Sequence, residues 1–176
     1  MKHSLILGRN SKHKKQFIAN ILNQYIKLDK KVIVFNDNNF DDLEYRLNKK
    51  ENLEYIKNIS ALSYMLDMVE HEKEEVIVFM EEYEYSRFEK DKTIKKELKE
   101  QIKRLIENNK NISFIFSSFD LAHNKYLLNI KEELKNRIIF KMSCLSIYND
   151  FKDKKEVIKE VSKLKDSNEF YCYSIN

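Results

Sequence analysis

The chain has 176 residues, 33 of them basic and 29 acidic, with 42% hydrophobic side chains and a net charge of +4. That is the length of one ordinary domain with a sizeable core, and so small a positive surplus does not by itself argue for nucleic-acid binding. No apolar run approaches the roughly 20 residues that cross a bilayer, and Met1 precedes a short strand-like stretch rather than a signal peptide, so a cytoplasmic setting is expected.

Proline is absent and glycine occurs once, at Gly8, so other turns that need a positive φ must use Asn or Asp. Ser4 to Leu7 reads as a strand closed by that glycine. After a basic loop, Arg9 to Lys15, the residues Phe17, Ile18, Ile21, Leu22, Tyr25 and Ile26 recur at helical spacing. Lys31 to Phe35 is a β-branched strand ending in the turn-rich Asn36 to Asn39. From Asp41 to Asn58 the pattern is weak and polar. Ile59, Leu62, Met65, Leu66 and Val69 mark an amphipathic helix. Val76 to Met80 is the clearest strand, followed at once by Glu81, Glu82 and Glu84; Ile94, Leu98, Ile102, Leu105 and Ile106 then line a long helix. Ile112 to Phe116 is a strand ending in Ser117 and Ser118, Leu121 to Leu134 a helix, and Arg137 to Met142 a strand. A helix from Phe151 to Leu164 and a strand from Phe170 to Ile175 complete the chain. Strands alternating with helices predict a three-layer α/β domain over residues 1–176, with a mainly parallel sheet covered on both faces.

In such a sheet, ligands sit at the carboxyl ends of the strands. The segment Gly8 to Lys15, GRNSKHKK, follows the first strand and opens a helix, as the phosphate-loop pattern G-x-x-x-x-G-K-[ST] does. Gly8 and Lys14 match it. His13 replaces the second glycine, whose backbone freedom helps to cradle phosphate, and Lys15 replaces the hydroxyl that binds Mg²⁺. The candidate nucleotide-binding residues are therefore Gly8, Arg9, Asn10, Ser11, Lys12, His13, Lys14 and Lys15, with ordinary hydrolysis lost or very slow. Taken alone, the loop reads as a solvated turn in a lysine-rich chain; its place in the fold favours the functional reading. The strand Val76 to Met80 with Glu81 and Glu82 has the form of a Walker B strand, in which one acid serves the Mg²⁺ shell and the other polarises water. His3, His13, His71 and His123 have no ligand spacing, so no metal site is expected. Cys144 and Cys172 lie in strand-like or loop stretches without paired spacing and are expected to be buried free thiols. Ser117, Ser118, Asp120 and His123 read as a strand-end turn rather than a triad.

In this order the segments resemble the FtsK/SpoIIIE family of P-loop motors, including the ATPase modules of the EssC/EccC proteins of type VII secretion. LILGRNSKHKK is similar to the family's LIxGxxGxGKS segment, KVIVFND to its second strand and acid, and VIVFMEEYEY to VVVIDEFADL. NISFIFSSFDLAHN is similar to GIHLILATQRPxxD, and NRIIFKMS to xRIAFRVS. The resemblance covers nearly the whole chain. Its departures fall on chemical positions: Glu81 stands where Asp is usual, Phe119 where the family has its sensor Gln, and Asp120 where it has Arg. Arg137 matches a family Arg that equally serves as a structural ion-pair partner.

The resemblance implies a degenerate ATPase module with vestigial Glu81 and Glu82, one of several in a membrane-anchored motor at the inner face of a Gram-positive envelope. ATP without ordinary Mg²⁺ coordination is the one cofactor it admits. Its implied partners are neighbouring ATPase modules and secreted substrate proteins, with membrane attachment only through other parts of a larger chain. A weak but genuine ATPase, in which Lys14 and Glu82 still act, is the alternative. A DNA-handling domain of the FtsK kind rests only on the basic loop, and nucleic acid is not an expected partner.

Overall fold

Buried apolar runs that alternate with amphipathic helices must form a layered sheet, and the computed structural model, which describes residues 3–9, 11–36, 41–81, 92–121, 124–151, 153–166 and 169–175, has that form. The elements are β1 (Ser4–Leu7), α1 (Lys12–Lys27), β2 (Lys31–Phe35), α2 (Asp41–Arg46), β3 (Leu53–Ile56), α3 (Ile59–Val69) and β4 (Val76–Glu81). They continue with α4 (Lys92–Asn108), β5 (Ile112–Ser118), α5 (Lys125–Asn129), β6 (Asn136–Phe140), α6 (Cys144–Phe151), α7 (Lys155–Ser162) and β7 (Phe170–Ser174). The sheet order is β3-β2-β4-β5-β1-β6-β7, and every neighbouring pair is parallel except β6 with β7.

The two faces of the sheet bury different side chains, as the two-residue strand period requires. Ile6, Val32, Val34, Ile77, Phe79 and Ile115 pack under α1 and α2. Leu5, Leu7, Ile33, Phe35, Val78, Met80, Phe114 and Phe116 pack on the opposite face with α3, α4, α5 and α7. Because β4 and β5 alternate in step, Glu81 and Ser117, paired in the register, follow Phe79 and Ile115 onto the α1 side.

Several elements differ from the sequence expectation for identifiable reasons. Residues 41–58, weak in pattern, hold α2 and β3; β3 is an edge strand with a half-exposed face, which blunts its apolar signal. The helix expected over Leu121 to Leu134 is only α5, because the Asn124 side chain caps it by accepting from Leu127 N at 3.0 Å. The strand expected to reach Met142 ends at Phe140. Ser143 then caps α6, accepting on its hydroxyl from Ser146 N at 3.2 Å, so Cys144 lies in a helix rather than a strand or loop. Cys172 is a free thiol but exposed, not buried, because β7 is an edge strand whose burial alternates. Asp29, in the turn after α1, takes φ 54°, the role that glycine scarcity assigns to Asp.

Two residues anchor the strand ends. Gly8 adopts φ +124°, and a Cβ there would meet Phe140 Cβ at 2.7 Å and Phe140 O at 3.0 Å. Gly8→Ala is therefore expected to cost about 2 kcal/mol and to lower the melting temperature by roughly 5 °C in a thermal melt. Arg137 is 2% exposed and donates to the carbonyl oxygens of Leu134 and Lys131 at 3.4 and 2.5 Å and to the Tyr173 hydroxyl at 3.0 Å. These partners are carbonyls and a phenol rather than the carboxylate of an ion pair. Arg137→Ala leaves one buried and two part-buried acceptors short of a donor. It is expected to cost about 3 kcal/mol, read as a lower urea midpoint at unchanged m-value.

Candidate functional site

β1 and β5 are neighbours whose following helices lie on opposite faces of the sheet, so their carboxyl ends flank the crevice where ligands enter open α/β sheets. The backbone after β1 is pinned there. Gly8 N donates to the carbonyls of Ser118 and Phe119 at 3.2 and 3.1 Å, and Arg9 N to that of Lys141 at 3.4 Å. Only residues 9–11 separate Gly8 from Lys12, the first residue of α1. Ser11 sits at φ −127°, ψ 159° and accepts from Lys14 N on its hydroxyl at 3.1 Å, a side-chain N-cap.

This cap changes the reading of the loop. Lys12, His13, Lys14 and Lys15 are not loop residues but the first turn of a 16-residue helix. Among the described residues only Asp29 and Gly8 have positive φ, so His13 bears no left-handed strain. The backbone bend that a second glycine would supply is not made at His13, because Ser11 has already started the helix.

Lys14 is the centre of the site. It is 0% exposed, and its Nζ donates to the carbonyl oxygens of Gly8 and Ser118, both at 3.0 Å. Glu81 Oε1 lies 3.9 Å from that Nζ, a charge-to-charge contact longer than a hydrogen bond, and Glu81 is 1% exposed. Burying an ammonium is expensive unless it is paired and hydrogen-bonded, and here carbonyls supply the bonds while Glu81 supplies the counter-charge. Ser117, opposite Glu81 on β4 and Ile6 on β1, has a buried hydroxyl with no hydrogen-bond partner among the described residues. The crevice therefore holds an ammonium, a carboxylate and a hydroxyl beneath the start of α1.

Phe119 is half-buried and supports Gly8 through its carbonyl. Asp120 is buried and accepts from the Ser146 hydroxyl at 3.2 Å, and Leu121 N donates to Asp150 at 2.8 Å, so the segment after β5 is fastened to α6. Ser117 and Ser118 belong to β5 itself, not to a turn beyond it. Asn10, Glu82, Glu84 and His123 lie outside the described residues. Among the described residues no group of His, Cys, Asp and Glu is arranged to hold a metal ion.

A second part of the site joins Arg9 and Ser11 to four residues that were not singled out in the sequence. Arg9, Ser11, Phe140, Lys141, Lys165 and Asp166 line an open cavity of about 280 Å³ beside the start of α1. Lys141 Nζ donates to the Lys165 carbonyl. Glu169 accepts from Lys165 N and Asp166 N at 2.5 and 3.3 Å, and these amides hold its carboxyl below the usual range. The lysines could have been noticed only by knowing that β6 pairs with β1 and that Lys165 comes to lie beside Arg9. A larger groove of about 570 Å³ runs along α3 and α4, lined by Ser63, Asp67, Gln101 and Arg104 among others. Gln101 is engaged with Asp67 at 2.6 Å and Arg104 with Glu70 at 2.8 Å, and the groove is lined by helix residues rather than strand ends. We place the site at the smaller cavity and the Lys14 crevice.

No family profile matches the sequence, and no curated protein matches it. Solved structures do. The genome packaging NTPase B204 of Sulfolobus turreted icosahedral virus 2, in complex with AMPPCP, matches at TM-score 0.69 and 13% identity over 98% of this chain and 92% of its own. The pCW3 conjugation coupling protein TcpA, with ATPγS, matches at TM-score 0.73 and 13% identity over 98% of this chain and 57% of its own. ATPases 2 and 3 of Thermomonospora curvata EccC, in complex with a signal sequence peptide, match at TM-score 0.60 and 12% identity over 82% of this chain and 31% of theirs. No helix among the described residues is long and apolar enough to cross a membrane. At such low identity the likeness is one of fold: the chain has the fold of the FtsK/HerA-type P-loop ATPases.

Proposed function

We propose that residues 1–176 form a single pseudo-ATPase module of a type VII secretion motor, acting in assembly and in recognition of secreted substrate proteins, with weak or no nucleotide binding. The observation that carries this reading is Lys14: the ammonium that a phosphate loop offers to phosphate is buried here on two main-chain carbonyls and faces Glu81. Lys15, where a hydroxyl would meet Mg²⁺, carries a second positive charge that repels the metal. The start of α1, capped by Ser11, reads as a structural helix start first and a phosphate cradle second.

The secretion context rests on the fold neighbours EccC and EssC and on the order of the sequence segments. The EccC neighbour was solved with a signal sequence peptide, and we assign this chain the same class of partner, alongside neighbouring ATPase modules. In this reading the module is cytoplasmic and reaches the membrane only through other parts of a larger chain. A second reading, a weak but genuine ATPase, is favoured by one observation: Lys14 and Glu81 stand 3.9 Å apart at the ligand crevice of a fold whose relatives were solved with AMPPCP and ATPγS.

The two readings part at Lys14. As a structural tie, Lys14→Ala removes the ammonium that faces the buried Glu81 carboxylate and two carbonyl oxygens and is expected to cost about 4 kcal/mol, whereas the paired change Lys14→Met with Glu81→Leu recovers most of that loss. Urea unfolding of Lys14→Ala and of the paired variant measures it. Titration with labelled ATP, with and without Mg²⁺, is expected to show no magnesium-dependent micromolar binding. Such binding, abolished by Lys14→Ala, would favour the ATPase, and salt-dependent binding of DNA would revive a DNA-handling role.

A further inference from the structure

Among the described residues β7 ends the sheet and is bonded only on its β6 side. Ile175 N donates to Lys135 O at 2.8 Å, and these residues stand opposite each other when the Asn136↔Ser174 register is extended by one. Opposed residues of an antiparallel ladder alternate between hydrogen-bonded and non-hydrogen-bonded pairs. Tyr173 and Tyr171 therefore bond inward to Arg137 and Ile139. Phe170, Cys172 and Ser174 turn their N–H and C=O groups away from β6, toward the open edge.

Folded chains commonly guard such an edge with charge, proline, a bulge or a covering segment. This chain is 35% charged and yet residues 170–176, FYCYSIN, carry no charge and no proline. The opposite edge is guarded: β3 contains Glu54, with Lys57 just beyond it. Phe170 is 44% exposed and Cys172 is exposed. Partial burial pushes the Cys172 thiol above its usual pKa.

The outward-facing residues are symmetric about Cys172, one at each second position. An antiparallel strand of the same sequence, centred on the same residue, meets every outward donor with an acceptor. Cys172 lies opposite the partner's Cys172, and Phe170 opposite the partner's Ser174, each pair exchanging both main-chain bonds. No like charges are brought together, which a strand carrying even one lysine at its centre would not permit. We propose that β7 pairs with β7 of a second copy of this chain, antiparallel about a two-fold axis at Cys172, joining two sheets into one continuous sheet. The interface is isologous, so it closes at the dimer. It involves neither the β1 loop nor Lys14 and stands whether or not nucleotide binds.

Light scattering on the eluting full chain, across a wide concentration range, is expected to show the mass rising to twice that of the monomer. Cys172→Lys, which sets two ammonium groups opposite each other at an exposed position, is expected to leave a folded monomer with unchanged far-ultraviolet spectrum. In a Cys144→Ser background, a short bismaleimide is expected to join the two Cys172 side chains. A chain that stays monomeric throughout, a dimer that survives Cys172→Lys, or a dimer that the bismaleimide does not link would each overturn the proposal.

Discussion

The buried ammonium of Lys14 is the interaction on which the ligand end of this domain depends. It holds the carbonyl of Gly8, just past β1, and that of Ser118, at the end of β5, within one hydrogen-bond shell. It also gives Glu81, at the end of β4, a counter-charge. Three strand ends are thus fastened through a side chain that belongs to α1. Removing either charge takes away an opposite charge that the other faces at 3.9 Å in a medium of low polarity, although a well-packed apolar pair would serve stability as well.

That dependence explains why the surrounding backbone is so closely specified. Gly8 must be glycine because β6 presses against it through Phe140, and its positive φ directs the chain toward α1. Ser11 must start the helix promptly, because Lys14 reaches back to Gly8 O from the first turn. The buried tie and the helix cap are two parts of one device, and a loop that wrapped further around a phosphate would start α1 later. Here an ammonium suited by type to phosphate is spent on main-chain carbonyls.

Much of this was legible in the sequence. The strands of the sheet interior, β1, β2, β4 and β5, are apolar runs buried on both faces, and such runs announce themselves. β3 and α6 did not: β3 buries little more than Ile56, and α6 is only Cys144–Phe151, its start marked by Ser143 alone. The candidate site was half legible. Gly8, Lys14 and Glu81 meet as the motif order suggests, but no periodicity reveals that Ser11 caps the helix and frees His13 of strain. Ser117 was visible only as the end of a strand, because its place beside Glu81 follows from sheet order, which local pattern does not encode. Lys141 is brought beside Arg9 by the pairing of β1 with β6, and Lys165 by the segment before β7, both long-range events.

The central claim is that the Lys14 ammonium is bound to the protein's own carbonyls rather than held ready for phosphate. Nitrogen-15 correlation spectroscopy of lysine side chains reads this directly, since an ammonium shielded from water and held by hydrogen bonds exchanges slowly enough to be seen. With the resonance assigned by its loss in Lys14→Met, the account predicts a Lys14 signal in the free protein that neither moves nor weakens on addition of ATP and Mg²⁺. A Lys14 signal that shifts progressively with ATP would contradict it.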